Sequence, residues 1–287
     1  MVQVILRRLL AAYGQGRPLV LMSDYDGTLV PLVEHPSLAR LDRRTHRLLR
    51  RLSSWPGVHV AIVSGRALRD IQALVSLPKV LLAGTSGLEL DLHGLRITHP
   101  QARQAEEIIA RLGTRLREAL VAFPDAWVED KGMGLTVHYR QVSPHQIPPL
   151  RSRLETILLD YGRQLQSLDG PMSVEVTPQL GWNKGTAVRQ IVRHIGGEDA
   201  ALLYAGDGAN DADAFEAVDE LAGITLGIGP DAPATAHCRL SGPAGVKKLL
   251  AQLNDALDER FVKGRHAGEK ALALYGFWRP FLPTNII

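Results

Sequence analysis

The 287-residue chain has a single cysteine, Cys238, so it cannot close an intramolecular disulfide or build a cysteine-rich zinc site. No motif surrounds Cys238, which reads as a small packed residue. No apolar run approaches the ~18 residues that a membrane-spanning helix needs. The apolar stretch near the N-terminus is broken by Arg7 and Arg8 and reads as an amphipathic helix rather than a secretory leader. Aromatic residues make up only 5%, which argues against a surface that stacks nucleic-acid bases. Charge of one sign is lacking too: the net value is +3, with Lys and Arg scattered among Asp and Glu, as on an ordinary solvated surface. Internal repeats and low-complexity stretches are absent. The expectation is a cytoplasmic globular protein with no membrane or nucleic-acid partner.

Hydrophobic residues make up 45% and charged residues 22%, a balance that supports a sizeable core. Apolar runs at Leu19 to Ser23, Val58 to Val63, Val80 to Ala83, Ala201 to Ala205 and Ile224 to Ile228 each end in a polar or glycine-containing turn. Helical patterns lie between them, at Arg43 to Leu52, Ala67 to Val75, Gly185 to Ile195 and Ala212 to Val218. Buried strands alternating with helices predict an α/β fold, a Rossmann-like parallel-sheet core. The middle of the chain has another rhythm. Gln101 to Phe123 is amphipathic, with Ile108, Leu112, Leu116 and Leu120 on one face. Alternating runs follow at Ala126 to Glu129 and Leu135 to Tyr139, then a helix from His145 to Tyr161, then Gln164 to Leu168 and Met172 to Val176. This order predicts an α+β cap with an antiparallel sheet, inserted into the core. The expected division is 1–98 and 179–260 for a catalytic core, 99–178 for the cap, and 261–287 for a C-terminal tail that matches no motif.

Four motifs carry chemistry. Asp24 and Asp26 flank Tyr25 directly after the first apolar run and precede Gly27-Thr28. Ligands of open parallel sheets bind at the carboxyl ends of strands. One carboxylate there can act as a nucleophile and a second can move the proton of the leaving group. Ser64-Gly65-Arg66 ends the second run, where a hydroxyl and backbone N–H can hold phosphate oxygens. Lys184 opens a helix and can neutralise an anion. Gly206-Asp207-Gly208-Ala209-Asn210-Asp211 follows the fourth run and supplies hard oxygen ligands that suit Mg²⁺.

These motifs, in this order, resemble those of the haloacid dehalogenase superfamily of phosphatases. The resemblance implies Asp24 as nucleophile, Asp26 as general acid/base, and Ser64, Gly65 and Lys184 as phosphate-binding residues. It implies a Mg²⁺ site made by Asp24, Asp207 and the Asp26 carbonyl, supported by Asp211.

Further segments resemble trehalose-6-phosphate phosphatases: Val128 to Gly132 followed by Thr136 to Arg140, Ala83 to Glu89, and Ser173 to Pro178. By that resemblance Glu89, Glu129, Lys131, Arg140 and Glu175 contact a disaccharide. The implied function is hydrolysis of trehalose 6-phosphate to trehalose and inorganic phosphate, with a functional link to a separate trehalose-phosphate synthase. Two departures stand out: Gly208 replaces the second acid of a Gly-Asp-Asp loop, and Ser86 stands where the family has an asparagine- or histidine-like residue. A phosphatase for another glycosyl or hexose phosphate, or a non-catalytic sugar-phosphate-binding module, are the competing readings.

Overall fold

A computed structural model of the chain describes residues 2–170, 172–197 and 199–275, with side chains to residue 260. In chain order the elements begin with α1 (Val2–Gly14), β1 (Leu19–Ser23), α2 (Arg43–Leu52), β2 (Val58–Val63), α3 (Leu68–Val75) and β3 (Val80–Gly84). They continue with β4 (Glu89–Leu92), β5 (Leu95–Thr98), α4 (Ala102–Leu120), β6 (Trp127–Asp130), β7 (Leu135–His138), α5 (Ile147–Leu159), β8 (Leu165–Gly170) and β9 (Ser173–Pro178). The last are α6 (Lys184–His194), β10 (Ala201–Gly206), α7 (Ala212–Glu220), β11 (Ile224–Ile228), β12 (Cys238–Leu240) and α8 (Pro243–Tyr275). No described helix is long and apolar enough to cross a membrane.

The large sheet has the order β12-β11-β10-β1-β2-β3-β4-β5. Strands β12 to β3 run parallel, while β4 and β5 close one edge as an antiparallel hairpin. Every residue of β1, β3 and β11 is buried, because helices cover both faces. Successive side chains of a strand point to opposite faces, and the core divides accordingly. Leu19 and Leu21 of β1 pack under α1, α2, α3 and α8, against Leu9, Leu49, Ile71 and Leu253. Val20 and Met22 pack under α6 and α7, against Val188, Ile191, Phe215 and Val218. Each such side chain, fully buried, contributes about 1.5–3 kcal/mol of transfer free energy. The expected α/β class therefore holds. The edge hairpin β4–β5 and the short β12 are additions to the sequence reading.

The smaller sheet, β6-β7-β9-β8, is antiparallel throughout. On one face Leu135, Val137, Val174 and Val176 pack against Leu112 and Leu116 of α4 and Leu150 and Leu154 of α5. In α4 it is Ile109, 1% exposed, that sits inside with Leu112, whereas Ile108 only borders this core. A helix of 3.6 residues per turn drifts off a strict four-residue repeat. Of the expected tail, residues 261–275 continue α8, and 276–287, with Trp278-Arg279-Pro280, lie outside the described residues.

Candidate active site

The strand order reverses at β1, which has β2 on one side and β10 on the other. A crevice opens beyond the carboxyl ends of strands at such a switch point, and Asp24 sits there. Its backbone N–H donates to Ala205 O at 2.8 Å, and it is 5% exposed. Lys184, the first residue of α6, is fully enclosed. Asn183 caps that helix, accepting from Thr186 N at 2.9 Å. The Lys184 ammonium donates to Asp24 Oδ1 at 2.9 Å and to Asp211 Oδ1 at 2.7 Å.

Asp211 is the most completely engaged carboxylate of the site. Its Oδ1 also accepts from the Tyr204 hydroxyl at 2.8 Å, and its Oδ2 accepts from the N–H groups of Asp207 at 3.0 Å and Gly208 at 3.1 Å. The turn after β10 depends on this arrangement: a Cβ on Gly206 would lie 2.3 Å from the Asp211 carboxyl carbon. Asp207, by contrast, is half-buried at the floor of a cavity, with Thr28 Oγ1 donating to its Oδ1 at 3.3 Å. Gly27, at φ +77°, makes room for it, since a Cβ there would lie 1.9 Å from Asp207 Oδ2.

Burial raises the Asp24 pKa well above the carboxylate range. Lys184 opposes that rise, and Asp211, Asp207 and Asp26 add to it. Burial, then Asp211, pushes Asp207 up to about 6. In Lys184, burial works against the charged form, but Asp211 and Asp24 outweigh it and raise the pKa. Ligand atoms of Asp24, Asp207 and Asp211 lie within 4.8 Å of one another. One ammonium thus faces a cluster of carboxylates that repel each other, and a hard divalent cation fits such a donor set. Because all four lone-pair directions of Asp211 are already taken, the ligand atoms open to a metal belong to Asp24 and Asp207.

Above this cluster is a cavity of about 510 Å³, lined by Asp24, Asp26, Ser64, Gly65 and Asp207 from below and, from above, by Glu129 and Glu175 of the smaller sheet with Lys131 and Arg140 just beyond its strands. Lys131 Nζ lies 3.4 Å from Glu175 Oε1, which also accepts from Ser86 Oγ at 3.1 Å. Ser86 reaches it from a left-handed backbone at φ 52°. Glu129 Oε2 and His138 Nε2 are 2.7 Å apart. Burial alone would raise the Glu129 pKa, but His138 and Lys131 outweigh it and lower it. Glu89 is placed elsewhere: on β4 it accepts from Thr85 Oγ1 at 3.1 Å and lines a separate cleft with Arg96, His99 and Arg103. The Asp26 carboxylate also stands apart from the acidic cluster, paired with Arg66 at 2.6 and 2.7 Å.

A model of the trehalose-phosphatase family matches residues 22–240, a span that includes every residue of this cluster and of the cavity wall above it. The chain belongs to the trehalose-phosphatase family. Trehalose-phosphate phosphatase B of Arabidopsis thaliana is 28% identical over 254 residues, which are 83% of this chain and 67% of that protein. A trehalose-phosphate phosphatase of Mycobacterium ulcerans (strain Agy99) is 31% identical over 208 residues, 70% of this chain and 52% of its own length. A Mycobacterium tuberculosis (strain ATCC 25618 / H37Rv) protein named as an uncharacterized glycosyl hydrolase is 32% identical over 95% of this chain, which covers only 20% of that protein. The crystal structure of a trehalose-6-phosphate phosphatase related protein superposes with a TM-score of 0.72 at 25% identity, over 84% of this chain and 99% of the other. The C-terminal domain of the Candida albicans trehalose-6-phosphate phosphatase shares the fold, with a TM-score of 0.75 at 23% identity, over 87% of this chain and 96% of the other.

Within the family framework, three contributors to the site go beyond the sequence reading. Tyr204 is one apolar-looking residue of a buried strand, yet its hydroxyl braces Asp211. Trp127 stacks on His35, 4.8 Å between ring centres, and on His138 at 4.3 Å. Arg66, whose only signal in the sequence is its place two residues after Ser64, pairs with Asp26.

Proposed function

We propose that the chain is a Mg²⁺-dependent trehalose-6-phosphate phosphatase that works through an aspartyl-phosphate on Asp24. The observation that carries this is Asp24 itself, buried at the switch point, 2.9 Å from an enclosed ammonium and open to a cavity roofed by a polar sheet face. Ser64, Gly65 and Lys184 hold the phosphate oxygens. A carboxylate oxygen of Asp24 attacks phosphorus as the bond from phosphorus to the sugar oxygen breaks, and Asp26 gives its proton to that oxygen. Asp26 then takes a proton from water, whose oxygen attacks the same phosphorus and releases inorganic phosphate and the Asp24 carboxylate. Asp24 and Asp207, with the Asp26 carbonyl, would hold Mg²⁺, which supplies positive charge to the phosphoryl oxygens as charge develops there. Lys184 adds its own charge at the same place, and Asp211 keeps it aimed.

The sugar-binding assignment follows from the cavity wall. Glu129 and Glu175 can accept from sugar hydroxyls, and Lys131 and Arg140 can donate to them. Glu89, which does not reach this cavity, is left out. Free phosphate release from a panel of sugar phosphates, with Mg²⁺ and with chelator, tests the proposal. Release confined largely to trehalose 6-phosphate and abolished by chelator is expected. Asp24→Asn should remove turnover while leaving the circular dichroism spectrum unchanged; near-normal turnover in that variant would remove the proposed nucleophile.

A further inference from the structure

We propose that Arg66 is the positioning residue of the acid/base carboxylate, holding Asp26 withdrawn and tying its release to the segment that meets the cap. The inference rests on the assignment of Asp26 just made and asks what governs where that carboxylate points.

Three hydrogen bonds fix the Arg66 guanidinium. Nε donates to Asp26 Oδ2 at 2.6 Å, and Nη2 donates to Asp26 Oδ1 at 2.7 Å and to Pro36 O at 2.9 Å. Its plane lies 5.4 Å from the centre of the Tyr25 ring, and that ring is anchored by its own hydroxyl, which donates to Ala39 O at 3.0 Å. The backbone N–H of Arg66 donates to Ser64 Oγ at 3.2 Å, so the fork is mounted on the phosphate-binding turn itself. The pair is lopsided in exposure: the Arg66 side chain is 10% exposed and that of Asp26 is 32%. Of the two partners, Asp26 is the one with room to move.

A bidentate fork engages both oxygens of a carboxylate and fixes its plane. Any rotation of the Asp26 carboxylate toward a leaving sugar oxygen above Asp24 tilts it out of this plane and weakens at least one of these bonds. The third bond links this choice to the cap. Pro36 follows His35, whose ring stacks on Trp127 at the start of β6, and both rings border the cavity. A continuous line of contacts therefore runs from the cap through Trp127, His35, the Pro36 carbonyl and Arg66 to Asp26. A substrate that seats the cap shifts the same segment that Arg66 grips, so the carboxylate is delivered when the sugar is in place.

The leaving group tells positioning from scaffolding. A sugar alkoxide needs the Asp26 proton as it departs, whereas 4-nitrophenolate leaves without one. Arg66→Ala and Arg66→Lys should each lower kcat on trehalose 6-phosphate by at least about tenfold more than on 4-nitrophenyl phosphate, within the range that one acid/base group contributes. KM for the sugar phosphate should change less than kcat. Arg66→Lys keeps the stem and the charge but not the fork, and serves if the alanine variant folds poorly. Asp26→Asn, measured alongside, should show the same selectivity. Equal losses on both substrates in both Arg66 variants, with Asp26→Asn still selective, would overturn the role of Arg66 alone. Equal losses in Asp26→Asn would instead overturn the acid/base assignment beneath it.

Discussion

Asp211→Asn is a nearly isosteric change in a carboxylate that is completely buried, and its cost can be worked from four hydrogen bonds. Oδ1 accepts from Lys184 and Tyr204, and Oδ2 from two backbone N–H groups. An amide replaces one acceptor by a donor, and each orientation places that donor against donors. Turned toward the Asp207 and Gly208 amides, it leaves two partly buried N–H groups unpaired, each worth at most about 1–3 kcal/mol. Turned the other way, it meets Tyr204, which can rotate to accept, and Lys184, which cannot. In either case Lys184 loses one of its two anions, and breaking a buried ion pair costs about 3–5 kcal/mol. The contact with Gly206 leaves no space for the side chain to withdraw. We therefore expect a loss of about 4 kcal/mol in chelator, a large part of the roughly 5–15 kcal/mol that stabilises a domain. Asp207→Asn should behave oppositely. It removes a carboxylate that burial and Asp211 push up to about 6, so at about pH 7 in chelator the repulsion is relieved and stability should hold or rise. If the proposed Mg²⁺ site is real, the wild type should gain stability on adding Mg²⁺ by mass action, and this variant should not. Urea denaturation followed by far-UV circular dichroism, with and without Mg²⁺, measures both. If Asp211→Asn matched the wild type in chelator and fell behind only with Mg²⁺, Asp211 would be a metal ligand and not a brace.

Gly27→Ala places a methyl group 1.9 Å from Asp207 Oδ2 on a backbone at φ +77°, so Asp207 must shift. Displacements of about 1 Å can cost on the order of 10²-fold in rate, and phosphate release should fall by that much in a folded protein. A rate within about threefold of the wild type would contradict the tight floor described above. Glu129 has a folded pKa below its ordinary value through His138 and Lys131, against the effect of burial. Its ionised form therefore stabilises the fold fully above the unfolded value of about 4.3, and that contribution disappears as pH falls through the lower folded value. Melting temperatures should drop faster for the wild type than for Glu129→Gln below about pH 4.5, and parallel curves would show that the pairing adds nothing.

The parts of the fold legible in the sequence are those whose local signals agree with their burial. The runs Leu19–Ser23, Val58–Val63 and Ile224–Ile228 have the same limits in sequence and structure, because strands enclosed on both faces read as near-continuous apolar runs. Helix α2 begins as expected after Asp42, which accepts from Arg44 N at 2.9 Å and Thr45 N at 3.0 Å. The β4–β5 hairpin is weakly signalled because Glu89-Leu90-Asp91-Leu92 alternates for only four residues with two acids, although β4 lies between β3 and β5. Its turn is His93-Gly94, both at positive φ (56° and 91°), of which only the glycine is a turn signal in the sequence. Glu89, which the sequence places in the loop after β3, instead opens β4 and faces the cleft with Arg96, His99 and Arg103. Asp24, Lys184, Asp207 and Asp211 were legible as a set, each following or opening a recognisable element. Their division of labour was not, because it depends on Tyr204 Oη and two backbone N–H groups that a sequence does not place.

The smaller sheet shows how one alternation serves two ends. Leu135, Val137, Val174 and Val176 face the helices, while Thr136, His138 and Glu175, one step out of phase on the same strands, face the cavity. Of the neighbours His138 and Tyr139, the tyrosine packs inward at 3% exposure and the histidine takes the wet side with Glu129. A register slip of one residue would exchange the two sets, putting carboxylates into the apolar layer and leucine into the cavity. The helices that bury one face therefore also hold the polar face in register. Substitutions of one parity should act mainly on stability, and those of the other on which sugar the cavity accepts. Lys131 and Arg140 lie just outside the strands: Lys131 is in the turn between β6 and β7, where its position depends on Glu175, 3.4 Å away, and through Glu175 on Ser86 of the core.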